Sequence, residues 1–417
     1  MYLRNAIIFS IGNELVEGLI IDTNSKYLSE KLKVLGYYVV RIETLPDKLD
    51  ILVERFKAGL LEADLIITTG GLGPTEDDLT REAMAQALGR KLVIDEKIAQ
   101  ELVERALKYY GKAPESVKKQ AMVIEGASVL DNPVGTAPGQ MLQLNGKIII
   151  ILPGPPAEMI PIFESITQTI KTDDALYTRR IKTLGIPEAV LMDEYKDIIY
   201  SNPNITVATM ASYERGVEVR LTGSTELKEE IDKVASELLN ALGEYVYATD
   251  DDSIEDVVYK LLSENSLTIS FAESCTGGMI SSKFVDIPGV SKVYKGSVIA
   301  YSNEVKTSVL KVPESIINTY GAVSEECVKS MAENVRILLN SDFSIAVSGI
   351  AGPSGGTETK PVGTVCFAFS SDSFTRTITH HLRGNREMIR KRSTLLAFDI
   401  ARRGILEWLR QREVSKE

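Results

Sequence analysis

Residues 272–278 read Ala-Glu-Ser-Cys-Thr-Gly-Gly, and they are the most informative stretch in the last third of the chain. The residues before it, 267–271, are apolar and β-branched, which favours a strand. The residues after it, 279–285, have helical spacing. The pattern therefore predicts a strand, a tight turn and a helix. Ser274 would lie at the carboxyl end of the strand, where open α/β sheets bind ligands and helix N-termini attract negative charge.

Ser274 needs a base, because a serine hydroxyl is a poor nucleophile near neutral pH. The two histidines of the chain, His380 and His381, are consecutive in a β-like run, so their side chains should point to opposite faces, and no acid is positioned beside either. Lys306 is the better candidate, because it follows a predicted strand at 295–301 whose end should lie at the same sheet edge as Ser274. A partly desolvated lysine has a lowered pKa, and its neutral amine acts as a base.

Two alternatives stay open at this point. Ser274 would serve only as a helix cap, and Lys306 only as a solvated surface lysine, if the two side chains do not meet. Cys275, the neighbour of Ser274, would be the nucleophile if a histidine were positioned to activate it. The sequence positions none there, so a packed thiol is the favoured interpretation of Cys275.

Five ordered blocks in the last third of the chain resemble the C-terminal domain of the CinA family: residues 272–278, 301–306, 321–325, 348–353 and 360–365. In that family the domain is similar to nicotinamide mononucleotide deamidase, which hydrolyses the carboxamide to nicotinic acid mononucleotide and ammonia. The resemblance implies that Ser274 is the nucleophile, that Lys306 is its base and that Tyr301 lies nearby. It also implies a set of substrate-binding residues: Thr276, Gly277, Gly278, Ser348, Gly349 and, for the phosphate, Arg386.

The expected chemistry agrees with this assignment. Amide hydrolysis builds an oxyanion, which backbone N–H groups in a turn can stabilise. The glycine-containing turns at 275–277 and 349–352 are the candidates for these donors. Such a scheme requires no metal, so we expect no cofactor at this site.

Composition sets outer limits on function. The chain has 417 residues, of which 44% are hydrophobic and 25% charged, as in an ordinary α/β protein of two or three domains. Its net charge of −11 and pI near 5.1 argue against a nucleic-acid partner. Three widely spaced cysteines without a Cys-x-x-Cys pair favour a reducing, cytoplasmic setting. Because no apolar run has the length of a membrane span or signal-peptide core, we expect neither membrane insertion nor export.

The first part of the chain alternates predicted strands and helices. Apolar runs at 5–11, 37–42 and 65–69 predict strands, and the patterns at 23–35 and 49–60 predict helices. Alternation of this kind predicts a parallel sheet covered by helices on both faces.

The third predicted strand ends at a glycine-rich loop with paired acids, Thr-Gly-Gly-Leu-Gly-Pro-Thr-Glu-Asp-Asp-Leu-Thr at 69–80. Such a loop before a helix is expected at a phosphate or metal–phosphate site, although it is neither a Walker A loop nor a dinucleotide fingerprint. Asp77 and Asp78 could hold a divalent cation directly or through water. A helix-capping role for one of them is about as well supported, and both roles are compatible.

This loop resembles the molybdopterin-binding fold of the MoaB and MogA proteins, and in CinA proteins the corresponding domain is linked to a metal-dependent ADP-ribose pyrophosphatase activity. Blocks at 12–15, 22–25, 135–139 and 152–159 complete the resemblance, although Asn13 stands where many related proteins have threonine. The resemblance implies a nucleotide site formed by Glu14, Asn24, Gly70, Gly71, Gly73, Asp77, Asp78, Gly135 and Gly154. Its magnesium, manganese or cobalt ion would neutralise charge and activate water, with Glu14, Asp77 and Asp78 as candidate ligands.

Polar stretches at 171–174 and 250–253 predict three domains: 1–170, 171–250 and 251–417. The first is MoaB/MogA-like. The middle one reads as a small α+β unit, which resembles the KH-type module of CinA proteins but has no Gly-x-x-Gly loop, so a spacer or dimerisation role is favoured over RNA binding. The last resembles the α/β deamidase domain of CinA proteins. It is expected to begin with a Ser253-x-x-Asp256 capping box.

A long helix predicted at about 386–410 closes the chain. Its arginines are expected to form a solvated face rather than a binding patch; they are Arg390, Arg392, Arg402, Arg403, Arg410 and Arg412.

We therefore expect a bifunctional enzyme of pyridine-nucleotide recycling with nicotinamide mononucleotide and ADP-ribose as small-molecule substrates. A homodimer is implied by the family resemblance. Two other classes remain: a molybdopterin-binding or transfer protein, and a non-enzymatic partner in DNA uptake or recombination. The acidic charge argues against direct DNA binding by the latter.

Overall fold

The computed structural model describes residues 4–111, 119–173, 175–213 and 215–414. The last position of the polar stretch at 171–174 therefore lies outside the described residues. The chain divides into two compact units, one of residues 1–178 with 223–228 and the other of residues 179–222 with 229–417.

The first domain alternates strands and helices, as its sequence predicts. Its strands are β1 (Arg4–Ile11), β2 (Tyr37–Leu45), β3 (Leu65–Thr69), β4 (Leu92–Ile94), β5 (Met122–Ile124), β6 (Ser128–Leu130), β7 (Gly139–Leu144) and β8 (Lys147–Leu152). Its helices are α1 (Asn13–Val16), α2 (Thr23–Val34), α3 (Leu49–Glu62), α4 (Thr80–Leu88), α5 (Glu96–Tyr110) and α6 (Pro156–Ile170).

One sheet organises the first domain, with strand order β2-β1-β3-β8-β7-β6. Strands β2, β1, β3 and β8 run parallel, whereas β7 and β6 add two antiparallel strands at one side. Helices α3 and α4 cover one face of the sheet, and α2 and α6 cover the other. Strand β3 is buried along its whole length, as expected for a parallel strand covered on both faces.

The middle domain is the small α+β unit that its sequence predicts. Its strands are β9 (Leu176–Thr183), β10 (Thr206–Ser212), β11 (Gly216–Ser224) and β12 (Val246–Thr249), and its helices are α7 (Glu188–Glu194), α8 (Lys196–Ile199) and α9 (Lys228–Leu242). The strand order is β10-β11-β9-β12. The amphipathic helix α9 buries an apolar stripe that includes Ile231, Val234 and Leu238.

The last domain contains the strands β13 (Ile269–Glu273), β14 (Tyr294–Ile299), β15 (Phe343–Gly349), β16 (Thr364–Ser370) and β17 (Thr375–His381). Its helices are α10 (Ile254–Glu264), α11 (Met279–Val285), α12 (Asn303–Ser308), α13 (Glu314–Tyr320), α14 (Glu325–Leu338) and α15 (Arg386–Val414). The strand order is β14-β13-β15-β16-β17, with β14, β13 and β15 parallel and the last two strands antiparallel.

Alternation along β13 explains why this strand lies inside the domain. Phe271 faces the cluster formed by α10 and α15, whereas the next residue, Ala272, faces α14. Ala272 is in register with Ala346, which is in register with Ala368, so a row of small side chains crosses three strands beneath α14. All five residues of β13 are buried. Ser274 follows the last residue of β13 and therefore lies at the carboxyl edge of the sheet.

The capping box predicted for the last domain is confirmed. The Ser253 hydroxyl accepts a hydrogen bond from the Asp256 N–H at 3.1 Å, and the Asp256 carboxylate accepts one from the Ser253 N–H at 2.9 Å. Both bonds satisfy N–H groups that the first turn of α10 would otherwise leave without partners.

The solvated arginine face predicted for the closing helix is wrong in part. Arg402 is 5% exposed and forms a 2.7 Å ion pair with Asp399, and it also donates to the Glu244 carbonyl at 3.0 Å. Arg390 and Arg392 are half-buried. The prediction failed because the helix packs on the sheet and on the middle domain of the same compact unit, and helical periodicity alone does not show which partners lie there. Among the described helices, none is long and apolar enough to cross a membrane.

Candidate active sites

Ser274 and Lys306 meet at the carboxyl edge of the C-terminal sheet. Ser274 follows β13 directly. The strand predicted at 295–301 ends at Ile299, and Lys306 lies on the helix α12 that comes after it. The Lys306 Nζ is 3.1 Å from the Ser274 Oγ and donates to the Ala300 carbonyl at 2.7 Å. Lys306 is 1% exposed and Ser274 is 8% exposed. The alternative of a solvated lysine and an unrelated serine cap is therefore excluded.

The surroundings of Lys306 favour its neutral form. Burial lowers the pKa of the Lys306 amine. Burial also raises the pKa of the neighbouring thiols, that of Cys275 to about 12 and that of Cys327 to about 11, so both stay uncharged at neutral pH. Within the described residues, Lys306 forms no ion pair with a carboxylate. A neutral amine has a lone pair that can accept the Ser274 proton.

The two histidines lie away from this site. They are on β17, which is separated from β13 by β15 and β16. At the usual strand spacing this puts β17 roughly 14 Å from β13. His381 is 3.3 Å from the Thr364 hydroxyl, and burial lowers the pKa of His380. The fold thus brings the Lys306 amine, and neither histidine, to Ser274.

A buried carboxylate holds the turn after Ser274, and the sequence analysis did not single it out. The Glu273 side chain accepts hydrogen bonds from the N–H groups of Gly278, Ile280 and Ser281 at 2.9, 3.1 and 2.9 Å, and from the Thr276 hydroxyl at 2.8 Å. Glu273 is fully buried. An acid ending an otherwise apolar strand is the signal that could have identified it, because a buried carboxylate needs such partners.

Arg390 of α15 contacts the same turn from another direction. Its Nε donates to the Cys275 carbonyl at 3.1 Å, and its Nη2 donates to the Thr276 carbonyl at 2.8 Å. Gly277 and Gly278 allow the turn, with φ of 61° and 94° in the region that favours glycine. No local pattern pointed to Arg390, because its partners are more than a hundred residues away in sequence.

The other residues predicted for this site fall into two groups. Arg386 donates to the Tyr301 hydroxyl at 3.0 Å and to the Gly352 carbonyl at 2.9 Å, and within the described residues it forms no ion pair. Its charge is therefore available to an anion. Ser348 is buried and donates to the Ala322 carbonyl at 2.7 Å, and Gly349 follows it at the end of β15. Their substrate contacts stay predictions.

The second candidate site is a cavity of about 440 Å³ in the first domain. Its walls include seven of the nine residues predicted for the nucleotide site: Glu14, Gly70, Gly71, Gly73, Asp77, Asp78 and Gly154. Gly135 lines a neighbouring cavity that shares Thr136 with it. Asn24 is buried behind the wall, where its amide donates to the Thr69 hydroxyl at 2.8 Å and to the Gly154 carbonyl at 2.7 Å. Asn24 thus joins two loops of the cavity.

The glycine-rich loop requires glycine at two positions. Gly70 has a φ of 104°, and a Cβ there would collide with the Ile11 carbonyl. Gly71 has a φ of 64°, and a Cβ there would collide with the Thr80 hydroxyl. Behind the loop, the fully buried Arg81 donates to the Leu72 carbonyl through both Nη1 and Nη2 at 3.1 Å. Burial lowers the pKa of Arg81. This guanidinium is a second loop-holding residue that the sequence analysis missed.

Carboxylates crowd the same cavity. Glu14, Asp77 and Asp78 share it with Asp47, a residue absent from the sequence prediction. Burial raises the pKa of Asp47, and the charges of Glu14, Asp78 and Asp77 add to the effect. Asp47 is anchored by the Asn13 N–H at 2.9 Å, so it cannot turn away from its neighbours.

These residues fit a divalent metal in chemistry but do not form a complete coordination cluster. Within the described residues, no group of three or more His, Cys, Asp or Glu side chains is arranged to hold a metal ion. Asp78 uses one carboxylate oxygen to accept from the Thr75 N–H and hydroxyl at 2.8 and 2.6 Å, which closes a turn of the loop. The helix-capping role expected for one of the paired acids is not found, because α4 has Leu79 at its N-cap and no side-chain cap. Magnesium-type ions usually bind one or two carboxylates together with substrate phosphates and water. The carboxylates of this cavity suit such binding if the phosphates of a nucleotide supply the remaining oxygen ligands.

The folds and the two sites define the class of protein: a three-domain α/β protein with a molybdopterin-binding-type domain, a KH-type domain and a C-terminal serine–lysine domain. Residues 7–172 match the family described as probable molybdopterin binding domain, residues 178–248 the damage-inducible protein CinA KH domain, and residues 251–405 the CinA C-terminal domain. The chain belongs to the CinA family, which confirms the resemblance found in the sequence.

Similar proteins cover nearly the whole chain. A CinA-like protein of Fervidobacterium nodosum is 68% identical over 405 residues, which are 97% of this chain and 99% of that protein. A CinA-like protein of Thermotoga neapolitana is 48% identical over the same shares of the two chains. Among solved structures, the protein CinA from Thermoplasma acidophilum has 37% sequence identity and a TM-score of 0.37, and it covers 40% of this chain and 100% of its own.

Proposed function

We propose that the C-terminal site is a serine–lysine amidohydrolase that converts nicotinamide mononucleotide to nicotinic acid mononucleotide and ammonia. The observation that carries this proposal is the buried 3.1 Å contact between the Lys306 amine and the Ser274 hydroxyl. Burial lowers the pKa of the Lys306 amine and so disfavours its protonation, and within the described residues no carboxylate pairs with it. Arg386 is the proposed ligand of the substrate phosphate, because its donors face only neutral acceptors.

The reaction follows from this pair. Neutral Lys306 takes the Ser274 proton as the oxygen attacks the carboxamide carbon, and backbone N–H groups of the turn stabilise the oxyanion. When the intermediate collapses, the Lys306 ammonium returns the proton to the departing nitrogen, and ammonia leaves. Water, deprotonated by Lys306, then hydrolyses the acyl ester, which releases the carboxylic acid and restores the Ser274 hydroxyl. Each step uses the same amine first as base and then as acid.

Ammonia release from nicotinamide mononucleotide by the purified chain tests the proposal. We expect turnover that EDTA does not affect and that falls by about a thousandfold or more in Ser274→Ala and in Lys306→Ala, because each variant removes half of a unit that acts together. Lys295→Ala, which removes an exposed lysine of β14, is the matched control and should keep full turnover. Undiminished ammonia release by either active-site variant would rule out the assignment.

We further propose that the first domain hydrolyses the pyrophosphate of ADP-ribose with a divalent metal, as a second activity of the same chain. The crowding of Glu14, Asp47, Asp77 and Asp78 beside a glycine-rich loop supports it, because such a site favours a cation and admits phosphates close to the backbone. A bound metal would neutralise phosphate charge and activate water. Glu14 and Asp77, both exposed, are the proposed ligands, and Asn24 and Gly154 keep the opposite loop in place.

AMP release from ADP-ribose in the presence of magnesium, manganese or cobalt tests this second activity. We expect EDTA to abolish it and Asp77→Asn to lower it at least tenfold, because a metal ligand and its charge are lost. Glu76→Gln is the matched control, since Glu76 is the adjacent acid and does not line the cavity. Tight binding of molybdopterin without AMP release under all three metals would instead support the alternative of a pterin-binding protein.

A further inference from the structure

The turn after Ser274 leaves two neighbouring backbone donors unused. The Ser274 N–H donates to the Val347 carbonyl at 3.0 Å, and the Gly277 N–H donates back to the Ser274 carbonyl at 3.1 Å. Within the described residues, no carbonyl accepts from the N–H groups of Cys275 and Thr276, and the Cys275 N–H has only its own thiol as a weak acceptor. Both residues are buried. A buried donor without a strong acceptor destabilises a fold, so two in succession need an explanation.

Arg390 accounts for the direction of these donors. In a trans peptide the C=O of one residue and the N–H of the next point in opposite directions. Arg390 Nε binds the Cys275 carbonyl at 3.1 Å, which turns the Thr276 N–H away from the guanidinium. Its Nη2 binds the Thr276 carbonyl at 2.8 Å, which turns the Gly277 N–H toward the Ser274 carbonyl. That bond in turn directs the Cys275 N–H away.

The charge of Arg390 strengthens the same arrangement. Within the described residues it forms no ion pair with a carboxylate, and the recorded hydrogen-bond partners of its guanidinium are the two carbonyls of the turn. A cation at the carbonyl end of a peptide polarises the unit and makes its N–H a stronger donor. Glu273 holds the other end of the turn through the N–H groups of Gly278, Ile280 and Ser281. The turn is therefore held at both ends, with its free donors between them.

We propose that Arg390 is a positioning residue, which presents the consecutive N–H groups of Cys275 and Thr276 to the oxyanion formed when Ser274 attacks the amide. The inference rests on the proposed amidohydrolase function and adds a residue to it. Arg390 touches neither the substrate nor the reacting atoms. Its guanidinium acts through the two carbonyls that it holds.

Steady-state kinetics of Arg390 variants with nicotinamide mononucleotide test this role. We expect Arg390→Met to lower kcat by about a hundredfold to a thousandfold, as losses of oxyanion stabilisation do, with KM changed less than threefold. Arg390→Lys can reach only one carbonyl and should lie between Arg390→Met and the wild type. The acidic limb of the pH profile should stay in place, since Lys306 is unchanged. Arg386→Lys, in contrast, should act mainly on KM.

The outcomes separate this role from the others. A wild-type chain without ammonia release would refute the proposed function itself. If the wild type is active, the positioning role would be overturned by a kcat of Arg390→Met within threefold of normal. A large rise in KM with kcat kept would also overturn it, and would make Arg390 a phosphate ligand. If Arg390→Met fails to fold, replacing the Cys275 or Thr276 amide by an ester in the full-length chain removes only one N–H. Loss of kcat in either ester supports the role, and normal kcat in both overturns it.

Discussion

Lys306 shows how far a single residue determines the chemistry of the C-terminal site. Its amine is buried, binds one carbonyl and one hydroxyl, and has neutral thiols as neighbours. A buried lysine of this kind loses stability as an ammonium and becomes a useful base as an amine.

The pH dependence of the deamidase follows from this burial. Because burial lowers the pKa of Lys306 from its usual 10.5, the neutral amine should persist at pH values where a surface lysine is charged. We expect kcat/KM to rise with pH along a limb with its midpoint below 10.5 and to fall as acid protonates the amine. Initial rates between pH 5 and 10 measure this limb. Lys295→Ala should leave it unchanged, and a midpoint at or above 10.5 would contradict a neutral Lys306.

At the same scale, sequence reasoning predicted that Ser274 and Lys306 would meet, which the structure shows, and missed the side chains that hold the surrounding loops. Ser274 and Lys306 were predictable, because both follow strands whose ends meet at one sheet edge. Arg390 and Arg81 were not, since each is recognised by which carbonyls it reaches, and those contacts exist only after folding. Asp47 was missed for a similar reason, because its neighbours Glu14, Asp77 and Asp78 come from two other segments of the chain. The metal ligands and substrate contacts stay predictions.

At the scale of elements, α15 combines support for the site with support for the domain. Its first turns carry Arg386 and Arg390, and its middle packs Phe398 and Ala401 against the sheet. The sequence predicted this helix from about 386 to 410, and the structure extends it to Val414. What the sequence did not reveal is which of its charged side chains are inside, since the helix carries arginines on several faces.

Asp399 is the charge on which the buried part of α15 depends. Its carboxylate accepts from Arg402 at 2.7 Å and from Arg403 at 2.8 Å. We expect Asp399→Ala to lower the free energy of unfolding by about 3–5 kcal/mol, because it leaves Arg402 buried without its partner. Urea unfolding followed by circular dichroism measures the change. Glu387→Gln, which removes an exposed partner of Lys391 on the same helix, should cost less than about 0.5 kcal/mol, and an equal loss in both variants would contradict the argument.

At the scale of the whole molecule, the sequence pattern was enough to predict the α/β class, and the alternation of strands and helices predicted the parallel strands of the first domain. It did not predict the antiparallel strands β7, β6, β16 and β17, because pairing direction there depends on short connections rather than on helical crossovers. The three-domain layout was predictable from polar boundaries and is matched by three family descriptions. The domain limits at 170 and 250 stay predictions.

Each large domain also has its own apolar clusters on both faces of its sheet. Under the proposed function, two reactions with different requirements would therefore be supported by separate cores. Chelation should distinguish them, because the amidohydrolase uses only side chains and backbone donors, whereas pyrophosphate cleavage needs a cation.

The shielded thiols around Lys306 have a consequence for resistance to oxidation. Peroxides and disulfides attack the thiolate rather than the thiol. Because burial raises the pKa of Cys275 to about 12, its thiol stays protonated at neutral pH, and Cys327 and Cys366 are also buried. An amidase that relies on Ser274 in such surroundings should keep working under oxidative stress that silences cysteine-dependent amidases. Burial would then both keep the thiols protonated and favour the neutral amine of Lys306.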